Sequence, residues 1–422
     1  MTTLDGYPMT KKGQSGKALR TAHFASASGD TFSDIILFTT APFLAIVVES
    51  YLGFAEKGAL IILSLSFVAA VVGASPMKGL IAAFLGILIA SVGSGEDMYP
   101  RLSMGSTFLA DGFPLITAVL GVLIMGEVIS SFEEMWRDRR GNVDSTPVPQ
   151  SSDNSLSWAE RRKLLPFISV SALVGTAIGA LPGIGSTLAA TLGYATGQKM
   201  HKGPVPFGQG TPEGVAATEA ANSAVSGANL IPVLSLGIPG NVSAVFLILA
   251  ADSIGGFNPG PSVFRFTTNE VNPELVVAFG LFTTMMFANI LNWMFGGQFM
   301  RWVGIMVKVP KSVLMPMVLL LTITAVYVQE TNMKAVYFLL AFGFLGYVMR
   351  KIKLPILPFV IAFILAGNLE TALRQAFAVS DADPFFLMRS PISIVFLLLS
   401  VAVVVFFSRR TKAEPTMSSE VL

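Results

Sequence analysis

The sequence predicts an all-α polytopic membrane protein, and three features of the chain point to this class. The 422 residues are 53% hydrophobic and 13% charged, whereas soluble domains carry about 25% charged residues. The mean hydropathy is +0.67. Apolar runs also recur at the length of about 20 residues that a helix needs to span the hydrocarbon core. Together with two interrupted runs, they predict about ten to eleven membrane segments, some of them broken or re-entrant helices.

Uninterrupted apolar stretches define most of the predicted spans, and two further stretches, 164–198 and 226–254, each contain a Pro-Gly interruption. Lipid offers no partner for freed backbone groups, so each of these two is expected to form a broken span or a re-entrant hairpin that is buried or lines a cavity. The uninterrupted stretches are residues 31–50, 58–74, 79–95, 114–132, 274–294, 312–328, 334–350, 354–372 and 386–408.

The distribution of Lys and Arg orients these spans, because cytoplasmic loops are enriched in both residues. Basic residues cluster before the first span, after the fourth, after the span at 334–350 and at the end of the chain. We therefore expect both termini in the cytoplasm, together with a polar, Ser/Pro-rich linker at 138–163. Ser155 or Ser157, near the end of that linker, is a candidate N-cap for a short surface helix.

The linker also sets the predicted domain organisation. Residues 1–137 form an N-terminal four-span unit, and 138–163 form a flexible cytoplasmic linker. Residues 164–408 contain the broken helices and the C-terminal spans, and 409–422 form a cytoplasmic tail.

Composition argues against several functional classes. The chain has no cysteine, which excludes disulfides and thiolate metal sites, and its two histidines, His23 and His201, are too few for a histidine-rich metal centre. An intramembrane enzyme is the alternative class, but no HExxH or GxGD motif is present, so no catalytic residue is predicted. The basic residues form short clusters between spans, and no nucleic-acid partner is expected.

The first interruption reads GALPGIGSTLAATLGY and is dense in residues with special backbone behaviour. Pro182 removes a helical donor, while Gly183 and Gly185 permit unusual backbone angles and close approach. Ser186 and Thr187 lie where a new helix would begin and are N-cap candidates. The free N–H groups and partial positive charge of such a helix end suit a carboxylate, so all five residues are predicted to bind substrate. The alternative is a simple kink packed against a neighbouring helix.

The second interruption reads PVLSLGIPGNVSAVFLILA and has the same character. Pro239 and Gly240 break the run, and Asn241 follows at the start of a fresh helix. Ser235, just before the break, is expected to face the same cavity. These four residues complete the predicted substrate site together with Asn222, which belongs to the helix upstream.

Polar residues of that upstream helix recur at spacings of three or four, which places much of the set on one helix face. Small residues around them allow close helix packing. One interpretation is a cavity lining that includes Asn222, and the other is hydrogen bonding between helices with no ligand. The set comprises Glu219, Asn222, Ser223, Ser226 and Asn229.

Carboxylates near the membrane are candidates for coupling transport to an ion. Glu219 is the candidate to bind Na⁺ or H⁺, although the polar stretch 199–218 before it is also consistent with a place at the water interface. Four other acidic residues border predicted spans and are expected to be interfacial. They are Asp34, Glu127, Asp252 and Glu370.

At these residues the chain resembles a known family. GALPGIGSTLAA, FGQGTPEGVAATEAANSAVSGANLIPVLSLGIPGNVSAVFLILA and GFNPGPSVF closely resemble the large membrane subunit of tripartite tricarboxylate transporters, the TctA family. TTLDGYPMTKKGQSGKALR, SPMKGLIAAFLGILIASVG and LADGFPLITAVLGVLIMGEVI are similar to other stretches of that family. The resemblance covers nearly the whole chain.

The resemblance implies a secondary transporter, in this case a symporter of the bacterial inner membrane. Members take carboxylate anions from a periplasmic substrate-binding protein, work with a small four-span membrane subunit and use an ion gradient, usually of Na⁺. No other cofactor is implied.

The family resemblance also bears on the first repeat. Members contain two related repeats, each with a Pro-Gly break, and the second repeat corresponds to residues from about 164 onward. The start of the chain resembles the stretch that follows the first repeat's own breaks. This leads to the alternative expectation of an N-terminally shortened, non-transporting remnant.

Overall fold

The computed structural model describes residues 1–72, 75–94, 100–138, 156–181, 185–254, 257, 259–265, 272–306 and 311–413. Within these ranges the regular secondary structure is helical, apart from one antiparallel pair of two-residue strands, β1 (Gly93–Ser94) and β2 (Pro100–Arg101). The all-α prediction is therefore confirmed.

Within the described ranges, the helices follow the predicted order of spans. A short 3₁₀ turn, Pro261–Phe264, and a π-helical segment, Gly121–Met125, interrupt the α-helices. The α-helices are α1 (Thr3–Lys11), α2 (Ser15–Tyr51), α3 (Phe54–Val71), α4 (Pro76–Ala90), α5 (Leu115–Leu120), α6 (Gly126–Asp138), α7 (Trp158–Gly179), α8 (Gly185–Met200), α9 (Pro212–Ala228), α10 (Leu230–Leu236), α11 (Val242–Ile254), α12 (Pro273–Met306), α13 (Lys311–Glu330), α14 (Met333–Lys351), α15 (Ile356–Val379), α16 (Phe386–Arg389) and α17 (Pro391–Ala413).

Nine helical stretches among the described residues are long and apolar enough to cross a membrane. Two shorter apolar helices, Pro76–Ala90 and Val242–Ala251, accompany them, so the prediction of ten to eleven membrane segments is confirmed. The nine are Ser15–Tyr51, Phe54–Val71, Leu115–Arg137, Trp158–Gly179, Pro273–Phe299, Ser312–Glu330, Met333–Lys351, Ile356–Val379 and Pro391–Arg409.

The chain forms two compact units. The first comprises Met1–Ser50 and Val143–Lys308, and the second comprises Tyr51–Asn142 and Val309–Leu422. The division into repeats at the 138–163 linker stays a prediction.

In the first unit, small residues bring α9 into close contact with its neighbours. A Cβ added to Gly29 of α2 would overlap the carbonyl oxygen of Ala220, and one added to Gly175 of α7 would overlap that of Ala221. Gly193 of α8 likewise faces the Cβ of Ala221. Glycine and alanine at such contacts let helix backbones approach closely, as in other membrane helix pairs. Helix α9 therefore lies at the centre of this unit.

Helix α7 of the same unit begins with a capping box. The Ser157 hydroxyl accepts the Glu160 N–H at 3.3 Å, and the Glu160 carboxylate accepts the Ser157 N–H at 2.8 Å. The pair satisfies two N–H groups that the helix itself leaves free. The sequence predicted this cap at Ser155 or Ser157 for a short surface helix, whereas it opens the 22-residue helix α7.

In the second unit, α14 packs against the π-helical segment. A Cβ on Gly346 would overlap the carbonyl oxygen of Val122. Arg350 donates from its guanidinium to the carbonyl oxygens of Val122 at 3.0 Å and Leu123 at 2.9 Å. A π-helical turn lengthens the backbone ring, and the forked guanidinium supplies donors to carbonyl groups there.

Candidate functional site

The first predicted interruption separates two helices. Helix α7 ends at Gly179, and α8 begins at Gly185, which has a left-handed φ of 73°. Pro182 and Gly183 lie outside the described residues. The backbone of Gly185 adopts an angle that L-residues disfavour, although a Cβ there would meet no atom within 4 Å. The requirement for glycine at this position is therefore one of conformation, not of space.

Ser186 and Thr187 belong to the first turn of α8 and are exposed. The prediction that they are N-caps is wrong, because the left-handed residue just before them, Gly185, occupies the entry to the helix. Their backbone N–H groups are among the first of the helix, which have no intrahelical acceptor. They remain candidates to contact an anion through those groups.

The second predicted interruption is a buried helix stop. Helix α10 ends at Leu236, and Gly237 follows with a left-handed φ of 72°. The backbone N–H of Gly237 donates a hydrogen bond of 2.8 Å to the carbonyl oxygen of Val233. Ile238 donates at 3.2 Å to the carbonyl oxygen of Pro232. A left-handed glycine followed within two residues by proline is a common helix end. Residues 237–240 are all buried, so the freed backbone is shielded, as a membrane segment requires.

Asn241 caps the helix that follows the second break. Its side-chain oxygen Oδ1 accepts the N–H of Ala244 at 2.8 Å, so the Asn241 side chain satisfies one of the free donors of α11. Pro239 and Gly240 are buried, Asn241 is half-buried and Ser243 is exposed. A ligand would therefore meet this break at the start of α11.

The residues beside the two breaks share one apolar cluster. Ala180, just before the first break, packs against a group that includes Ala228, Ile231 and Leu234. A Cβ on Gly179 would lie 2.8 Å from the Cβ of Ala228. The flank of the first break thus contacts the helices that lead to the second. A cavity shared by both breaks stays a prediction.

The polar face of α9 is only partly available to a ligand. Asn222 is half-buried, whereas Ser235 is fully buried and donates its hydroxyl to the carbonyl oxygen of Ile231 within α10. Asn229 is 2% exposed, and its amide nitrogen has no hydrogen-bond partner among the described residues. Glu219 is half-buried and accepts hydrogen bonds from the hydroxyls of Thr2 and Ser26.

A carboxylate that sequence reasoning missed, Asp5 of α1, sits in a cradle of backbone donors. Asp5 is fully buried and accepts N–H groups of Gly208 at 3.0 Å, Gly210 at 2.8 Å and Thr211 at 2.9 Å. The Tyr194 hydroxyl donates to it at 3.0 Å. The cradle precedes α9, so the carboxylate also lies at the positive end of that helix. The available signal was the loop GQGTP, whose glycines precede a proline at the helix start.

A second missed cluster joins α2 to α9 and α12. Asp34 of α2 is 8% exposed, and its Oδ2 accepts the side-chain amide of Asn289 at 2.7 Å. Asp30, one turn earlier, accepts the hydroxyl of Ser226. The sequence predicted an interfacial Asp34, but α9 and α12 bury it. The spacing of four residues between the two carboxylates was the signal that could have found the pair.

The other acidic residues at span borders vary in their surroundings. Glu370 pairs with Arg101 at 2.7 Å and with Arg374 at 2.7 Å, and Glu127 pairs with Arg350 at 3.1 Å. The side chain of Asp252 lies outside the described part of the chain. Among the residues that the structure describes, no group of three His, Cys, Asp or Glu side chains forms a metal site.

Broken helices with buried stops, set beside a polar helix in a multi-pass bundle, are typical of membrane transport proteins. Residues 1–361 match the model of the tripartite tricarboxylate transporter TctA family. The chain belongs to this family, as its motifs predicted, and the family is one of membrane transporters.

Two curated relatives come from Agrobacterium vitis. One is an uncharacterized 52.8 kDa protein in the TAR-I ttuC' 3' region, 29% identical over 412 residues that cover 96% of this chain and 78% of the relative. The other is an uncharacterized protein in the TAR-II ttuC' 3' region, 31% identical over 235 residues that cover 55% of this chain and 92% of the relative. No solved structure matches the chain.

Proposed function

We propose that this chain is the large membrane subunit of a tripartite secondary transporter that takes up carboxylate anions. The substrate is delivered by a periplasmic binding protein, and a small four-span membrane subunit completes the complex. The chain lies in the bacterial inner membrane with both termini in the cytoplasm. Family membership over residues 1–361 supports the class, and the sites below support the mechanism.

The second break is the observation that carries the proposal. Its backbone turns at residues 237–240, inside the protein, and a new helix starts at Val242. The first N–H groups of a helix lack acceptors and carry partial positive charge. The Asn241 side chain satisfies one of them at Ala244, and the N–H groups of Val242 and Ser243 are left to bind an anion. A carboxylate group fits such a helix end without a cationic side chain.

The first break supplies a second helix end of the same kind. Gly185 leads into α8, and the exposed Ser186 and Thr187 present hydroxyls and backbone N–H groups there. Two helix ends would bind two carboxylate groups, which favours di- and tricarboxylates over monocarboxylates. In this proposal Pro182, Gly183, Asn222 and Ser235 shape or line the same site.

Backbone N–H groups recognise the negative charge of a carboxylate group. They do not distinguish one carbon skeleton from another, so that selectivity must come from other contacts. We therefore assign choice among carboxylates mainly to the binding protein, with the membrane subunit selecting the anionic group. Uptake against a gradient needs a coupling cation, and Na⁺ is the proposed one. Glu219 was the sequence-based candidate for its ligand.

The test is uptake of radiolabelled citrate by cells that express this chain with its small subunit and binding protein. Parallel assays use succinate, a dicarboxylate, and acetate, a monocarboxylate. We expect uptake of citrate or succinate that needs all three proteins and exceeds acetate uptake by about tenfold or more. Absence of uptake of all three acids, with the three proteins present in the cells and this chain in the membrane, would contradict the proposal.

A further inference from the structure

Two carboxylates of α2, Asp30 and Asp34, lie on one face of a membrane helix, one turn apart. Asp34 lies about 25 Å along α2 from its end at Tyr51, within the roughly 30 Å of a hydrocarbon core. Asn289 lies about as far from the start of α12. The aromatic contacts of Phe38, one turn after Asp34, with Phe279 and Phe282 place these two helices side by side.

The hydrogen-bond partners of both carboxylates are neutral. Asp34 accepts from Asn289, and Asp30 accepts from Ser226. Within the described part of the chain, neither forms an ion pair, and Oδ1 of Asp34 accepts no hydrogen bond. An ionised carboxylate within a membrane helix is costly when no positive charge accompanies it. When ionised, the two carboxylates would therefore carry negative charge that no cationic side chain among the described residues compensates.

The open oxygen of Asp34 faces a position where only glycine fits. A Cβ on Gly227 of α9 would overlap Oδ1 of Asp34 and would lie 2.7 Å from the hydroxyl oxygen of Ser33. Both oxygens therefore converge on the backbone of α9. This convergence, on a carboxylate that is 8% exposed, is independent of the two carboxylates' proximity along α2.

We propose that Asp30 and Asp34 take up one monovalent cation, a proton or a sodium ion, and form the coupling site of transport. One positive charge on the pair reduces the repulsion between the carboxylates and supplies the missing compensation. The proposal rests on the proposed transport function and moves the coupling role from Glu219 to α2. Glu219 already accepts two hydroxyl hydrogen bonds and is more exposed than Asp34.

The position of the pair provides a route from the cation to the substrate site. Ser226 and Gly227, which contact the two carboxylates, lie near the end of α9. Helix α10 follows directly and ends at the second break. Cation uptake changes the charge that α9 packs against, so it biases the position of the helices that lead to that break.

Other titratable groups on the packed helices define the controls. On α9 the described groups are Glu213 and Glu219. On α2, His23 hydrogen-bonds to Asn292 of α12, and Glu49 at the far end pairs with Arg265. Helix α12 adds Glu274 in its first turn. Of these, Glu219 is nearest along α9 to the carboxylate contacts at Ser226 and serves as the matched control.

Trp293 of α12 offers a local readout, since its indole N–H donates to the hydroxyl of Thr31 on α2 at 3.1 Å. We would replace the other three tryptophans, Trp136, Trp158 and Trp302, by phenylalanine and purify the full chain in detergent. Trp293 fluorescence would be titrated with NaCl against a choline chloride background at fixed pH. A second titration would vary pH without sodium.

We expect a saturable response to one of the two cations, and the responsive arm identifies sodium or the proton. Asp34→Asn and Asp30→Asn should each raise the cation concentration at the midpoint of the response by about tenfold or more. Glu219→Gln should change that concentration by less than about twofold. Asp34→Glu retains the charge and should restore a response, which separates a lost cation site from a misfolded chain. Gel-filtration homogeneity would be required of every variant.

The inference is overturned if the reference protein responds to neither cation, or if the Asp34→Asn midpoint is unchanged. It is also overturned if Glu219→Gln abolishes the response while both aspartate variants keep it. Uptake plays no part in this readout. A chain that binds the cation through α2 but carries no carboxylate would contradict the proposed function and leave this site in place.

Discussion

The carboxylate of Asp5 accepts the backbone N–H of Gly210 at 2.8 Å, which ties the first helix to the loop that opens α9. Two more backbone donors, from Gly208 and Thr211, reach the same side chain. This buried carboxylate fixes where the central helix of the first unit begins.

The first prediction follows from that cradle. Asp5→Ala should destabilise the protein by about 3 kcal/mol, because it leaves several buried donors without an acceptor. Asp111→Ala, at an exposed aspartate, is the matched control and should change stability by less than about 0.5 kcal/mol. Unfolding in detergent with increasing denaturant measures both. Equal stability of the two variants would show that water replaces the carboxylate at no cost.

The second prediction concerns the helix stop at Gly237. Gly237→Ala should cost about 2 kcal/mol or more, because the new Cβ meets both a left-handed φ and the carbonyl oxygen of Pro259 at 2.7 Å. Gly105→Ala carries the same strain, at φ 75°, with no atom within 4 Å of the new Cβ. It should cost about 1 kcal/mol. The difference between the unfolding free energies of the two variants isolates the steric part, and a difference of zero would exclude it.

The third prediction separates capping from substrate binding. Asn241 and Asn332 each cap a helix through Oδ1, the first at Ala244 and the second at Lys334 with a bond of 2.9 Å. Alanine at either position should cost about 1 kcal/mol of stability. Only Asn241→Ala should reduce citrate or succinate uptake by about tenfold or more, because only this residue lies at the proposed anion site. Similar uptake by both variants would remove Asn241 from the site.

The fourth prediction is the membrane orientation. The chain has no cysteine, so single cysteines give an unambiguous readout. Cysteines at Ser152 and Ser418 should resist a membrane-impermeant thiol reagent in intact cells and react after the membrane is opened. A cysteine at the exposed Asp381, between α15 and α16, should react in intact cells. The reverse pattern would invert the topology inferred from Lys and Arg.

The sequence predicted the helical spans and both interruptions because the signals for them are local. Gly237 and Pro239 end a helix through their own backbone constraints, and a neighbouring apolar run is sufficient to mark a span. The prediction that Ser186 or Thr187 is an N-cap was wrong because α8 already begins at Gly185, whose φ is left-handed.

The missed parts of the site depend on partners far along the chain. Asp5 contacts a loop about 200 residues away, and Asp34 contacts Asn289 about 250 residues away. The four-residue spacing from Asp30 to Asp34 places both carboxylates on one helix face, but it does not distinguish a buried carboxylate from an interfacial one. The burial of Asp34 is decided by how α9 and α12 pack against α2, which periodicity does not reveal.

The π-helical turn at Gly121–Met125 sets which face of the following helix, α6, is turned toward α14. Deleting a single residue in this turn would restore regular α-helical winding and rotate α6 by about 100° about its axis. Helix α6 would then turn Gly126 and Glu127 away from Arg350, which contacts both. Arg350 of α14 contacts α6 in one rotational setting only. An insertion or deletion in the π-helical turn would therefore require a compensating change on α14.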